Sequence, residues 1–121
     1  MATAVETWVG GFGLKNLSSY YYEENGIPFD LSLLVSDGRT VTELKVHKFI
    51  LTLRSKVFEE RLLQTSEPRL EIETENFAAF EVLVKFCYTI QEKLEDKPFK
   101  FLMELFKEAE KYQIAELQVT L

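Results

Sequence analysis

The sequence predicts an α+β domain in which a small sheet is mixed with helices, and three observations carry that expectation. Leu31-Ser32-Leu33-Leu34-Val35 is a compact apolar run of strand length, and Arg69-Leu70-Glu71-Ile72-Glu73 alternates charged and apolar residues with period two. Asp37-Gly38 follows the first run with the turn chemistry of a hairpin. The remaining apolar residues recur at helical spacing, above all Phe77, Phe80, Leu83, Val84 and Cys87.

Taken in chain order, residues 1–13 carry Gly10, Gly11 and Gly13 and read as a flexible N-terminal segment, within which Thr7-Trp8-Val9 can pair as a short strand. Leu14, Leu17 and Tyr21 fall on one side of a helix that Asn25-Gly26-Ile27-Pro28 terminates. The strand from Leu31 turns at Asp37-Gly38 and returns from Arg39 to Val46. Phe49, Ile50 and Leu53 then define a helix, Ser55 caps a second one bearing Phe58 and Leu62, and the third strand follows. Asn76 caps the helix that starts at Phe77. Lys97-Pro98 opens another, with proline in the first turn and Phe99, Leu102, Met103, Phe106 and Ala109 on one face. A last short helix after Gln113 is anchored by Ile114 and Leu117.

Composition narrows the function. With 14 Lys and Arg against 20 Asp and Glu, the net charge of −6 opposes a phosphate backbone, and no basic stripe offsets it. The single cysteine, Cys87, has no internal disulfide partner, and the single histidine, His47, joins no cluster of metal-ligand spacing. No cofactor or metal is expected. No apolar stretch reaches the roughly 20 residues that cross a bilayer, and the start of the chain has no secretory pattern, so the expected location is cytosol or nucleus.

Nor does a catalytic centre assemble. His47 sits where a strand hands over to a helix and reads as a residue that fixes that junction; as the base of a small enzyme it has no placed nucleophile or second acid. Cys87 lies on the core stripe of its helix, the setting of an unreactive thiol. Gly10-Gly11-Phe12-Gly13 lacks the Gly-Lys-Ser/Thr ending of a phosphate loop, and the glutamate clusters lack the alternation of a calcium loop. The aromatic excess, with Tyr20-Tyr21-Tyr22 and Phe99 with Phe101, points instead to a protein partner.

Asp30-Leu31-Ser32-Leu33-Leu34-Val35, followed by Leu44-Lys45-Val46-His47-Lys48-Phe49-Ile50-Leu51-Thr52-Leu53-Arg54-Ser55-Lys56-Val57-Phe58, resembles a BTB/POZ domain. The shared order is Asp before a strand, a hairpin, an apolar-His-basic step into a helix, then Leu and Ser-x-x-Phe. It continues in Leu70 and Ile72, in Phe77, Phe80 and Leu83 before Phe86-Cys87-Tyr88-Thr89, and in Ala109-Glu110-Lys111-Tyr112-Gln113-Ile114-Ala115-Glu116-Leu117. The similarity runs from about Leu14 to the C-terminus, which makes 14–121 the domain.

That resemblance implies a small, mostly antiparallel sheet capped by helical hairpins and a non-enzymatic interaction module. It also implies a homodimer built on Leu14, Leu17, Tyr21 and Phe49, with Asp30 and Lys48 as a charged pair near the dimer groove. Many family members bind the N-terminal helices of a cullin three scaffold and act as substrate adaptors of the ubiquitin ligase. The matching surface here would use Phe58, Glu59, Leu62, Leu63, Phe99 and Phe101. The segment Gln64-Thr65-Ser66-Glu67-Pro68 is shorter than in cullin-binding members and has Thr65 where an apolar residue is expected; this favours the alternative of a self-associating scaffold that recruits a non-cullin partner, such as a transcriptional corepressor, near Asp30 and Lys48.

Overall fold

The computed structural model describes residues 27–88, 90, 93–114 and 117. Strands β1 (Leu31–Ser36) and β2 (Val41–Val46) form the hairpin; helices α1 (Lys48–Arg54) and α2 (Lys56–Leu63) lead to strand β3 (Arg69–Glu73), and helices α3 (Phe77–Cys87) and α4 (Phe99–Lys111) follow. The α+β class holds. The expected helix over Leu14 to Tyr21 and the strand at Thr7-Trp8-Val9 lie outside the described residues.

The hairpin turns as its chemistry requires. Gly38 takes φ 93°, and the Asp37 carboxylate accepts the N–H groups of Arg39 and Thr40, both at 2.9 Å. Those bonds, Thr40 first, hold the Asp37 carboxyl below its usual pKa. They also keep Arg39 and Thr40 in the turn, so the return strand starts at Val41, not at Arg39.

Strand order is β2-β1-β3. β1 pairs antiparallel with β2, Leu33 opposite Leu44, and parallel with β3, Leu33 opposite Leu70. The expectation of a mostly antiparallel sheet is thereby corrected: the chain leaves β2 through two helices and re-enters on the far side of β1 in the same direction, as a helical crossover permits. Leu31, Leu33, Val35, Leu70 and Ile72 bury on one sheet face, while Val41, Glu43, Lys45, Arg69, Glu71 and Glu73 lie exposed.

Ser55 joins the helices. It ends α1 and caps α2, its Oγ accepting the Phe58 N–H at 3.1 Å and donating to the Tyr112 carbonyl at 2.7 Å. Asn76 caps α3 through the Ala79 N–H at 3.2 Å. Inside the core Phe58 stacks on Tyr112 with ring centroids 4.6 Å apart, and Phe80 meets the same ring edge-on. α3 buries Phe80, Leu83, Val84 and Cys87 as its spacing predicts.

In two helices the core takes only part of the apolar set. In α1 it is Ile50 and Leu51 that are buried, while Phe49 and Leu53 are exposed. In α4, whose N-cap is Pro98, Leu105 and Ala109 are buried with Tyr112 just beyond, while Phe99 and Met103 are exposed and Leu102 and Phe106 only partly covered. α4 closes through bonds from Gln113 N–H to Glu110 and from Ile114 N–H to Ala109, with Gln113 at φ 55°. Ile114 and Leu117 are buried as anchors.

Candidate functional site

The junction of β2 and α1 is organised by buried polar groups. The Tyr88 hydroxyl accepts the His47 backbone N–H at 2.8 Å and lies in hydrogen-bond contact with His47 Nδ1 at 2.7 Å. A carbonyl can only accept, so Nε2–H donates to the Ile27 carbonyl at 2.8 Å, and both ring nitrogens are committed. Burial raises the Tyr88 phenol far above its ordinary pKa, outweighing the bond from His47. His47 fixes three chain segments, as its position suggested.

Asp30 and Lys48 do come together, but through the backbone: the Asp30 carboxylate accepts the Lys48 N–H at 2.8 Å. The His47 side chain makes no cap bond to α1, and Asp30 supplies the missing acceptor from 18 residues away. Beside this junction lies an apolar surface. Phe49 is 66% exposed, Leu53 and Ile27 more than half exposed. Phe49 suits the expected dimer face; its partners Leu14, Leu17 and Tyr21 lie outside the described residues.

Of the residues expected on the second surface, Phe58 is not available. It is fully buried against Tyr112, because Ser55 sets the first turn of α2 so that Phe58 points into the core. Leu63 is 81% and Phe99 76% exposed, whereas Leu62 and Phe101 pack partly against the core. The Lys97 ammonium lies 5.4 Å from the centre of the Phe101 ring. Glu59 is partly exposed and pairs with Lys56 at 3.2 Å. In the loop after α2 the Thr65 hydroxyl accepts the Glu67 N–H at 3.1 Å, which turns that position back on itself.

A groove of about 300 Å³ separates the end of β3 from α4. Its walls are bridged by Thr74 Oγ1 donating to Glu108 at 2.7 Å and Asn76 Nδ2 donating to Glu104 at 2.9 Å, bonds that lash α4 to the start of α3. Among the described residues no group of three His, Cys, Asp or Glu side chains is placed to hold a metal ion, and no helix is long and apolar enough to cross a membrane. Sequence reasoning missed Ile27, Leu53 and Met103 as exposed residues; the only signal for Leu53 and Met103 was membership in apolar sets larger than one inward face holds, and Ile27, in a helix-ending segment, gave none.

Exposed apolar side chains on three helices, with the polar groups of the His47 junction spent on structure, define a protein interaction module. Residues 20–121 match the BTB/POZ domain family, and the chain belongs to it. No characterised protein matches the sequence as a relative. Among solved structures the chain is similar to the BTB domain of zebrafish PATZ1, with a TM-score of 0.69 and 21% identity over 91% of this chain and 85% of that one. At that identity the likeness speaks for the fold. BTB domains are in general modules of interaction and self-association, not enzymes.

Proposed function

We propose that this domain forms a homodimer and serves as the substrate-adaptor part of a cullin three ubiquitin ligase, in the cytosol or nucleus. The observation that carries the reading is the exposure of large apolar side chains in two sets: Phe49 with Leu53 on α1, and Leu63 at the end of α2 with Phe99 at the start of α4. Large apolar side chains left this exposed mark interaction sites. The first surface suits a second copy together with Leu14, Leu17 and Tyr21; the second suits the scaffold, with Glu59, Leu62 and Phe101 at its margin.

Light scattering after size-exclusion chromatography, alone and with a cullin three N-terminal domain, tests it. A dimer that co-elutes with the cullin and loses it in Leu63→Asp or Phe99→Asp supports the adaptor. A second reading, a scaffold recruiting a corepressor near Asp30 and Lys48, is favoured by the short loop in which Thr65 is held by Glu67. A dimer indifferent to the cullin, whose corepressor binding falls in Lys48→Glu, would decide for it.

A further inference from the structure

The two edges of the sheet are treated differently. In β3 the groups that point away from β1 belong to Arg69, Glu71 and Glu73, and two of those carbonyls are already covered: Arg61 Nη2 donates to Glu71 O and Lys111 Nζ to Glu73 O, both at 3.0 Å. Along β2 the outward groups belong to Val41, Glu43 and Lys45, and they have no hydrogen-bond partner among the described residues. An edge with open N–H and C=O groups is a template for another strand.

The register decides which strand. On the exposed face Lys45, Ser32 and Arg69 form one row across the sheet, and Glu43, Leu34 and Glu71 form the next. One row is basic and the other acidic, two residues apart. A second β2 laid antiparallel about a two-fold axis at Leu44 sets Glu43 opposite Lys45 of the other copy, and Lys45 opposite its Glu43. Both are outward-facing residues, so each couple exchanges a pair of backbone hydrogen bonds. The basic row of one copy then runs into the acidic row of the other, twice by symmetry. A lysine on an edge repels arbitrary strands; spaced two residues from a glutamate it is complementary to itself.

We infer that β2 is a self-association edge, through which two copies join their three-stranded sheets into one six-stranded sheet in the register Glu43 opposite Lys45. This interface is separate from the helix-face dimer and does not rest on it. Its area is small, so it acts at high protein concentration and low salt.

Sedimentation velocity of the full chain over a concentration series, in a Phe49→Asp background that removes the helix face, tests the edge. Concentration-dependent dimers are expected. Glu43→Lys and Lys45→Glu should each raise the dissociation constant about tenfold, since attraction becomes repulsion at two symmetric sites. The double reversal Glu43→Lys with Lys45→Glu should return it to within about threefold of the starting value, because the facing charges are again opposite. A monomer at every concentration overturns the proposal. So does a double variant no tighter than the singles, or an association indifferent to both reversals, the outcome expected if Thr7-Trp8-Val9 occupies the edge instead. Loss of the Phe49-dependent dimer alone would count against the helix face and leave the edge standing.

Discussion

Helices α3 and α4 lie side by side and use their apolar residues in opposite ways. α3 buries Ala79, Phe80, Leu83, Val84 and Cys87 and packs Phe77, Val82 and Phe86 partly against the core, leaving no large apolar side chain exposed. α4 carries two arcs: Leu105, Ala109 and, just past its end, Tyr112 go inward, while Phe99 and Met103 remain outside with Phe106 half-covered. The difference teaches that helical spacing identifies an apolar stripe without saying which stripe the core takes. A helix with more apolar surface than its neighbours can cover is showing a second surface, and on α4 Phe99 and Met103 are the residues available to a partner.

Substitutions can break that contrast. Phe80→Ala on α3 should cost about 3–5 kcal/mol in urea unfolding, and Leu105→Ala on α4 about 2–5 kcal/mol, since both leave cavities. Phe99→Ala and Met103→Ala should stay within about 0.5 kcal/mol; an effect as large as that of Leu105→Ala would mean that the outer stripe is core after all.

A smaller effect concerns Tyr112, where α4 meets Phe58 and Phe80. Burial, with Glu108 nearby, pushes its phenol from 10.0 to about 12. A pKa raised on folding contributes stability that is complete below pH 10 and drains away as pH climbs to about 12, a loss of about 2–3 kcal/mol. The Tyr112 hydroxyl is buried with no hydrogen-bond partner among the described residues. Tyr112→Phe should therefore remove this share of the alkaline loss and leave neutral stability unchanged or raised by about 1 kcal/mol. Thermal unfolding followed across that pH range reads both. Smallest is the helix end: Gln113 holds a left-handed conformation that glycine adopts freely, so Gln113→Gly should stabilise by about 0.5–1 kcal/mol.

What was legible in the sequence was local. Asp37-Gly38, Ser55 and Asn76 announce a turn and two caps because each acts within three residues of itself. The alternation in Arg69 to Glu73 shows which side of β3 is wet for the same reason. Partners distant in sequence were not legible. Nothing near His47 says that Tyr88 will bind it, nor does anything near Asp30 say that its carboxylate will cap α1. Phe58 was misplaced because family likeness marks a position in a helix without fixing the rotation of that helix against its neighbour. The direction of β3 escaped for a related cause: a strand's sequence does not state on which side of the hairpin it returns.

The central strand has consequences for how the chain folds. β1 meets β2 across a tight turn, so that pairing closes a short loop and can form early. It meets β3 only after more than thirty intervening residues, which include β2, α1 and α2. The parallel half of the sheet therefore carries most of the loop-closure cost and sets the pace of folding. Under mild denaturant the amides of Leu70 and Ile72 should exchange before those of Leu33 and Leu44, so the sheet comes apart from one side: β3 separates first and leaves the hairpin intact.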